Sequence, residues 1–388
     1  MIERETRPLA SERVALTDSI GRVLAENIVA DTDLPPFDRA QMDGYALRAR
    51  DTQKAPVDLL VVGESAAGTG WHHELKPGQA VRIMTGAPVP AGADSVEKVE
   101  LTRELNGVVS LIDAVGKKQN IVKKGAEIRK GEVVLRAGTM ITPEMIATPA
   151  AFGYAKVRVA KRPRVAVVPT GSEIVPVGRQ PKRDQIRDSN SVMLKAFCDR
   201  AGAAVTVFQN VGDELDSLTS TVRAALHDHD IVVTTGGVSV GKYDLTKEAF
   251  AKAGARLLFE KVALKPGKPA VFGVRNKKLL FGLPGNPVSA AVTFHLFVRR
   301  AIMLMQSAGN AAAERGFAVL NSLLKGNRSR DTYLPATFAI SADGKLIAVP
   351  LPSAGSADLV AFARAEALIV VPRALTFAAG DVVDVVFL

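Results

Sequence analysis

The middle of the chain alternates apolar runs with segments of helical periodicity. Runs typical of buried strands occur in RVAVVPTG, AAVTVFQNVG and DIVVTTGG, and two shorter ones lie near 271–274 and 278–282. Helical periodicity follows in ELDSLTSTVRAALHD, in KYDLTKEAFAKAG and over 288–304, and Asp188 offers an N-cap for a further helix. Residues 163–311 therefore predict a three-layer α/β/α domain around a mostly parallel sheet.

The carboxyl ends of these strands are where chemistry is expected, because ligands of parallel sheets bind there. The loops concerned follow Thr170, Val211, Thr235 and Gly282.

The flanking segments carry shorter β-prone runs with many glycines and prolines. Residues 30–126 contain LLVVGES, AVRIM and GVVSLID and predict a β-rich module. Residues 312–388 carry five short runs that fit a small barrel or a sandwich. Segments 11–29 and 127–162 mix helix-compatible and β-prone patterns and are expected to pair with each other across the inserted module. The predicted fold class is therefore α/β multidomain.

Composition and charge exclude several classes of protein. A hydrophobic fraction of 47% over 388 residues is typical of a globular protein of two to four domains. Lys and Arg exceed Asp and Glu by 50 to 40, but four Tyr and one Trp are too few for a platform that stacks single-stranded nucleic acid. The apolar window 279–298 is interrupted by Pro-Gly-Asn-Pro, which indicates a strand, a turn and a core helix instead of a membrane span. No nucleic-acid or membrane partner is predicted.

The N-terminus, the cysteine and the histidines further limit the location of the protein and the metal sites that it can form. The charged start, MIERETRP, has no apolar run and predicts no signal peptide, which favours a cytoplasmic location. Cys198 is the single cysteine, so an intramolecular disulfide and a Cys-rich metal site are excluded, and its helical neighbourhood predicts a buried thiol. The five histidines show no zinc-type spacing and are interpreted as surface or core residues: His72, His73, His227, His229 and His295.

A glycine-rich turn follows the third strand, in TTGGVSVGKYD. Glycines at 236, 237 and 241, with Ser239, let backbone N–H groups approach an anion, although a tight strand–helix turn would use the same residues. Asp244, three residues later, could hold Mg²⁺ beside a phosphate or cap the next helix.

Two proline-containing turns supply cations and helix-end donors. Lys265 and Lys268 lie in LKPGKP, where the prolines present both ammonium groups on a stiff turn suited to an oxyanion, and Lys261 precedes them. In LPGNPVS, Asn286 and Ser289 open a helix whose free N–H groups could hold a second anion. The alternative for LKPGKP is a solvated loop, and the alternative for LPGNPVS is a purely structural turn.

Carboxylates occupy several loops. Glu173 in PTGSE and Asp213 in NVGDE follow strands and could line one crevice with Asp244. In the β-rich module, Asp43 lies in MDGY and Thr85 in a Gly/Pro loop, where a structural role in turns is the simplest interpretation.

Seven motifs taken together resemble one family. PPFDRAQMDGYA, RIMTGAPVP, PTGSE, RDSNS, TTGGVSVGKYD, LKPGKP and GLPGNPVS follow, in order, the pattern of the molybdopterin molybdenumtransferases, or molybdenum insertases, to which the C-terminal catalytic domain of gephyrin belongs. The resemblance spans residues 11–388 and is specific because the motifs agree in order as well as in composition.

The resemblance implies four subdomains and a reaction. These are a linking domain (1–29 and 127–162), a β-rich lid (30–126), a molybdopterin-binding α/β domain (163–311) and a C-terminal β-barrel (312–388). It implies a homodimer whose active site combines the α/β domain of one chain with the lid of the other. The expected substrates are adenylylated molybdopterin and molybdate, and with Mg²⁺ the products are molybdenum cofactor and AMP; molybdoenzymes and other proteins of the cofactor pathway are possible partners.

Site residues follow from the resemblance position by position. The implied catalytic residues are Asp43, Thr85, Glu173, Asp188, Asp213 and Asp244, with Asp213 and Asp244 as metal ligands. The implied substrate contacts are Gly236, Gly237, Ser239, Gly241, Lys261, Lys265, Lys268, Asn286, Ser289, Arg330 and Ser356.

The sequence departs from the family pattern at four places. The resemblance implies an extra N-terminal helix, which the start at MIERETRP is not expected to include, and Arg-Ala-Gln-Met replaces Asn-Ser-Ala-Met in the lid motif. Val122 stands where the family has arginine, with Ala126-Glu127 for its Glu-Asp, and Pro335 takes the second position of an Arg…Arg pattern whose first member is Arg330. Neither replacement reproduces a guanidinium fork.

Two other functions remain open from the sequence. Adenylylation of molybdopterin uses the same sheet-domain motifs, but a stand-alone adenylyltransferase lacks the three additional subdomains. A non-catalytic member that binds pterin or scaffolds other proteins is compatible with the lost arginines.

Overall fold

The computed structural model of this chain describes residues 1–237, 245–352 and 354–388. Two compact units are present. The larger comprises Met1–Glu26, Ala137–Ile146 and Lys156–Leu388, and the smaller comprises Asn27–Arg136 and Ala147–Ala155. Several separate sheets with helices confirm the α/β multidomain class. The finer division into four subdomains remains a prediction.

A six-stranded sheet lies at the centre of the larger unit. Its strands, in spatial order, are Ala204–Val207, Arg164–Pro169, Ile231–Thr235, Lys278–Leu283, Val271–Arg275 and Arg256–Phe259. The first four are parallel to one another. Near-continuous apolar runs suit strands that are buried on both faces. Burial is almost complete in Arg164–Pro169, Ile231–Thr235 and Lys278–Leu283, whereas the edge strand Ala204–Val207 is largely exposed.

Helices cover both faces of this sheet. One face packs against Ser189–Arg200 and the helix that begins at Pro287, through side chains such as Val167, Val233 and Phe294. The other packs against Leu215–Asp228 and Leu245–Lys252 through Val168, Leu218 and Phe250. The predicted three-layer arrangement is therefore present.

One strand of the sheet breaks the parallel pattern for a local reason. Val271–Arg275 runs antiparallel to both of its neighbours, Lys278–Leu283 and Arg256–Phe259. Only Asn276 and Lys277 join it to the next strand, and both have positive φ, 48° and 67°. A two-residue turn of this kind forms a hairpin, because a parallel crossover needs a much longer connection.

The long apolar helix is a core element. It consists of Pro287–Thr293, a π-helical turn Phe294–Val298 and Arg299–Met305. Length and composition alone would let it cross a membrane, but 72% of its apolar window is buried inside the protein. Within the π turn, burial and the nearby Arg200 and Arg299 lower the pKa of His295 to about 3, so this core imidazole is neutral.

The C-terminal strands close into a barrel. Five strands follow one another around it, and the last pairs with the first: Asp331–Ile340, Leu346–Pro350, Arg315–Leu320, Val382–Phe387 and Ala367–Val371. Small and branched side chains such as Ala336, Ala348 and Ile369 fill the interior. The short strand Leu264–Lys265, from the sheet region, adds to the barrel in parallel alongside Asp331 and Thr332.

The remaining elements of the larger unit are short. Ser11–Ala15 pairs antiparallel with Lys156–Ala160, which supports the expected pairing of the two flanking segments. The mixed pattern of residues 11–29 corresponds to the strand Ser11–Ala15 followed by the 3-10 turn Leu16–Ser19. The other short elements are Ile2–Glu5, Pro143–Met145, Ile174–Val175, Ile186–Arg187, Leu324–Lys325, Leu359–Phe362 and Thr376–Phe377.

The smaller unit is rich in β structure, as predicted. Its six-stranded sheet has the order Ser95–Lys98, Gly44–Leu47, Gln79–Ile83, Val57–Ser65, Val108–Leu111 and Thr102–Leu105. Two short ladders join Arg39–Ala40 to Ile121–Val122 and Ile28–Val29 to Val133–Leu135. The helical segments are Ala49–Thr52, Val99–Leu101 and Ala147–Ala151.

Cys198 is expected to be unreactive in the native protein. Its side chain is fully buried in the core between the sheet and its helices, and burial raises the pKa of the thiol. A thiol reagent at pH 8 should label the native chain at least ~100-fold more slowly than the unfolded chain. Cys198→Ala serves as the blank, and equal labelling rates in the two states would contradict the buried position.

Candidate functional site

Four loops at the carboxyl ends of the parallel strands line one cavity of about 1150 Å³. They contain Thr170-Gly171, Asp213, Gly236-Gly237 and Pro284-Gly285. Because the strands are parallel, these loops leave the sheet at the same edge. The opposite wall of the cavity comes from the barrel, through residues such as Tyr333, Pro335 and Leu351.

The glycine turn after Ile231–Thr235 depends on having no side chain at its first residue. Gly236 has φ +96°, and a Cβ built on it would lie 2.3 Å from the carbonyl oxygen of Thr170. Gly237 also has positive φ, +62°. The two strand-end loops therefore approach closely enough that only glycine fits at 236.

Three predicted acids line the cavity, and each has a distinct environment. Asp213 accepts hydrogen bonds from the backbone N–H and the hydroxyl of Ser172, at 3.1 and 2.7 Å. Asp188 caps the helix Ser189–Arg200 by accepting from the N–H of Ser191 at 3.0 Å, as predicted. The carboxylate of Glu173 lies over Gly171, where an added Cβ would meet its Oε2 at 2.5 Å.

The predicted lysine turn lies at the boundary between the sheet and the barrel. Lys265 and Lys268 line the cavity and are exposed. Between them, Gly267 has φ +113°, and a Cβ there would lie 2.6 Å from Thr293. The backbone of the turn is therefore packed tightly while both ammonium groups face solvent.

The barrel and the helix that begins at Pro287 complete the wall. Asn286 donates from Nδ2 to the hydroxyl of Ser356 at 2.8 Å, and the N–H of Val288 donates to the carbonyl oxygen of Ser356 at 3.1 Å. Ser289, in the first turn of the helix, is buried and lines the cavity, and Arg330 lines it from the barrel side. Residues far apart in the sequence thus face one space.

The cations of the cavity form no ion pair with any described acid of the chain. Among the residues that the structure describes, Lys265, Lys268 and Arg330 form no ion pair or side-chain hydrogen bond. Asp331, next to Arg330, is instead engaged by Arg373, whose N–H and Nε lie 3.0 and 3.3 Å from its Oδ1. Uncompensated cations in a concave wall attract anions.

Other predicted site residues lie elsewhere. Lys261 is not part of the cavity wall, and Asp43 and Thr85 belong to the smaller unit. Ser239, Gly241 and Asp244 lie outside the described residues. Within the described ranges, no group of three or more His, Cys, Asp or Glu side chains is arranged to hold a metal ion.

Sequence reasoning missed two residues that organise the cavity edge. Asn190 donates from Nδ2 to the hydroxyl oxygen of Thr235 at 2.8 Å and to the carbonyl oxygen of Gly285 at 2.7 Å, so it ties two strand-end loops together. Ser172 holds Asp213 in the same way. Both lie inside quoted motifs, RDSNS and PTGSE, but their partners are 41 or more residues away.

Comparisons with known proteins match this architecture along the chain. Three family models match, described as the MoeA N-terminal region (domain I and II) at residues 1–153, a "Probable molybdopterin binding domain" at 166–303 and the MoeA C-terminal region (domain IV) at 318–388. A molybdopterin molybdenumtransferase of Staphylococcus aureus is 37% identical over 378 residues, which covers 96% of this chain and 90% of the relative. The chain belongs to the molybdopterin molybdenumtransferase family.

Further relatives extend the likeness to the three-dimensional fold. The molybdopterin molybdenumtransferase of Bacillus subtilis is 40% identical over 373 residues, covering 93% of this chain and 86% of the relative. The crystal structure of a molybdopterin biosynthesis protein, MoeA, from Pyrococcus horikoshii OT3 superposes with a TM-score of 0.85 at 30% identity, covering 100% of this chain and 97% of that one. The fold of this family member is therefore that of its relatives over its whole length.

Two departures from the family pattern have a definite place in the structure. Pro335 lines the cavity from the barrel, so an apolar ring occupies that part of the wall. Val122, in the smaller unit, lies directly opposite Arg39 in a two-stranded ladder, and Arg39 donates to Glu127 at 3.1 Å. The guanidinium of Arg39 is therefore carried on the strand next to Val122. Arg39 is also the first residue of the altered Arg-Ala-Gln-Met motif.

Asp43 and Thr85 meet on the surface of the smaller unit. Thr85 donates both its backbone N–H and its hydroxyl to Oδ1 of Asp43, at 2.6 and 2.8 Å. These two hydrogen bonds, the backbone one first, lower the pKa of the Asp43 carboxyl. The resemblance named these two residues from separate motifs, and the structure places them in direct contact.

This contact predicts a measurable titration. The pKa of the Asp43 carboxyl is lower in the folded chain than in the unfolded chain, where it is about 3.9. The ionised carboxyl therefore stabilises the fold at pH values above about 3.9, and this stabilisation is lost as the pH falls through the folded pKa. Thr85→Val keeps the N–H but removes the hydroxyl, so the Asp43 pKa should rise part of the way towards its ordinary value. Carbon-13 NMR titration of the carboxyl measures it, and Thr85→Ser should match the parent. An unchanged pKa in Thr85→Val would contradict the hydroxyl contact.

Proposed function

We propose that the protein inserts molybdate into adenylylated molybdopterin, releasing AMP and molybdenum cofactor. One observation carries this proposal: a single cavity, in a chain of this family, brings the uncompensated cations Lys265, Lys268 and Arg330 to the strand-end glycine turn and its acids. A cofactor with phosphate groups and a metal oxyanion both need such a site. The family membership supplies the substrate class, since the relatives are named molybdopterin molybdenumtransferases.

The cations bind and orient the oxyanion. Lys265 and Lys268 extend from a turn whose glycine is packed against Thr293, so the backbone that carries both side chains is fixed at the cavity wall. Arg330 faces them from the barrel, and its planar fork suits two oxygens of one anion. Fixed positive charge at the place where negative charge accumulates lowers the energy of the transition state.

The phosphate portion is assigned to the glycine turn and the adjacent helix start. Gly236 and Gly237 leave the backbone uncovered, and Asn286 and Ser289 open the neighbouring helix towards the same space. Ser356, bonded to Asn286, closes this side of the wall. Ser239 and Gly241 continue the glycine turn in the sequence, and we assign them to the same binding region.

Asp213 fits the role of a magnesium ligand, and we propose Asp244 as the second. Ser172 engages one oxygen of Asp213, whereas the other forms no hydrogen bond within the described residues. One or two carboxylates beside phosphate oxygens are the ligands that Mg²⁺ prefers, so a cluster of three protein ligands is not required. When bound, Mg²⁺ would neutralise charge on the phosphoanhydride that is hydrolysed.

The other predicted acids have roles that follow from their positions. Asp188 caps its helix and so positions Asn190, whereas Glu173 presents its carboxylate to the cavity and is proposed to orient water or substrate. Lys261, outside the cavity wall, is proposed as an outer contact. Asp43 and Thr85 are proposed to complete the site of a partner chain in a homodimer.

We further propose a setting for the reaction. The protein works as a cytoplasmic homodimer of four-subdomain chains and hands its product to molybdoenzymes or to other proteins of the pathway. The four subdomains are those that the resemblance implies, with boundaries near residues 30, 127, 163 and 312.

A non-catalytic pterin-binding member is the second candidate, and one observation favours it. Pro335 occupies the cavity wall at a position where the family pattern has an arginine, so the site has one guanidinium fewer to stabilise developing charge. Such a protein would bind pterin tightly without turnover. Adenylylation of molybdopterin, the third possibility, would consume ATP.

Two parallel reactions separate these functions. Purified protein receives either adenylylated molybdopterin or molybdopterin with ATP, each with Mg²⁺ and with or without molybdate. The insertase releases AMP only from the first substrate, and molybdate stimulates the release. Pyrophosphate from the second mixture would instead identify an adenylyltransferase, and tight pterin binding without either product would identify the non-catalytic member.

A further inference from the structure

Thr332 lies beside the lysine turn and has no assigned role. It is the second residue of the barrel strand Asp331–Ile340, and in the parallel pairing with Leu264–Lys265 it is the direct partner of Lys265. It also lines the cavity. The threonine and the lysine are 67 residues apart in the sequence but adjacent in the structure.

The hydroxyl of Thr332 is buried without a hydrogen-bond partner. The residue is 5% exposed, and Oγ1 is one of the few buried side-chain oxygens among the described residues that no donor or acceptor satisfies. A buried polar group without a partner is penalised, so its retention in a strand calls for an explanation. Valine would fill the same volume without this penalty.

Among the described residues, the charged side chains next to Thr332 in sequence or register offer its hydroxyl no free acceptor. The side chains of Lys265 and Arg330 carry only hydrogen-bond donors, and the carboxylate of Asp331 is engaged by Arg373. A single partner that accepts a hydrogen bond and carries negative charge would satisfy the hydroxyl and both cations together. A tetrahedral oxyanion has enough oxygens to accept from all three side chains at once.

We propose that Thr332 is a further binding residue of the cavity, whose hydroxyl donates to an oxygen of the tetrahedral oxyanion held by Lys265 and Arg330. The inference rests on the proposed function for the identity of that anion, which is either molybdate or the phosphate of the adenylylated pterin. Rotation about χ1 between staggered positions moves the hydroxyl without moving the strand. A bond from a neutral hydroxyl to a charged acceptor is short and strong, so it contributes measurably to affinity.

Titration calorimetry of the full chain tests this inference, with molybdate alone and with adenylylated molybdopterin alone. Thr332→Val should weaken binding of one of the two ligands by roughly 10-fold, while its melting temperature stays equal to or above that of the parent. Thr332→Ser should restore affinity to within about twofold, because it keeps the donor. Thr376→Val makes the same chemical change at an exposed position of the ladder between Leu324–Lys325 and Thr376–Phe377 and should alter neither affinity.

The outcomes separate this inference from the proposed function. Weaker molybdate binding assigns the hydroxyl to molybdate, and weaker binding of the adenylylated pterin assigns it to the phosphate; both support the inference even if no AMP is released. Unchanged affinity of Thr332→Val for both ligands would overturn it, as would a parent protein that binds neither. A Thr332→Ser variant as weak as Thr332→Val would also contradict it, since the hydroxyl would then not be the cause.

Discussion

Gly236→Ala should lower the rate of AMP release at least ~100-fold and lower the free energy of unfolding by about 3 kcal/mol. The new Cβ would lie 2.3 Å from a backbone oxygen, that of Thr170, and the residue would be held at φ +96°. A backbone atom has no rotamer with which to move away, so the two strand-end loops must separate. Chemical denaturation and the AMP-release assay measure the two effects.

Gly344→Ala is the control that separates the cost of a left-handed backbone from the cost of a steric clash. Gly344 has φ +80°, but an added Cβ would meet nothing within 4 Å. This variant should therefore lose only about 1 kcal/mol, from the left-handed backbone alone, and should keep its activity. If Gly236→Ala were no less stable than Gly344→Ala, the close approach of the loops at the cavity edge would be wrong.

Lys265→Ala should raise the half-saturating molybdate concentration by roughly 100-fold, which corresponds to about 3 kcal/mol of lost binding free energy. The ammonium group is exposed at the cavity wall and forms no ion pair with the described residues, so its charge is available to an anion. For the same reason its removal should hardly change the free energy of unfolding. Initial rates of AMP release over a range of molybdate concentrations give the shift.

Lys277→Ala is the matched control for that variant. Lys277 is equally exposed but lies in the hairpin turn between Val271–Arg275 and Lys278–Leu283, away from the cavity. It changes the net charge by the same amount, so a general electrostatic effect on molybdate would appear in both variants. Equal shifts in the two would remove Lys265 from the oxyanion site.

Much of the fold could be predicted from local patterns. The strand Ile231–Thr235 is buried at every position because helices cover both faces of the sheet, and its apolar start, Ile-Val-Val, is visible without a structure. The antiparallel direction of Val271–Arg275 could also have been predicted from the sequence, because the two residues Asn276-Lys277 are long enough only for a hairpin turn. The mixed pattern of segment 11–29 did not define its elements, because its strands pair with partners more than 100 residues away.

The cavity itself was predictable on one side only. Parallel strands bring their carboxyl ends to one edge, so the loops with Glu173, Asp213 and Gly236 were expected to meet. No local pattern shows that the barrel strand at Thr332 lies beside Lys265, or that Asn190 ties Thr235 to Gly285. These contacts depend on how distant segments pack, which motifs read one at a time do not show.

The most direct test of the insertase function is the dependence of AMP release on molybdate at a fixed, saturating concentration of adenylylated molybdopterin and Mg²⁺. The account predicts a rate that rises from near zero and saturates with molybdate, because the cations of the cavity must be occupied before the phosphoanhydride is hydrolysed. AMP release that is equally fast without molybdate, or absent at every molybdate concentration, would contradict it.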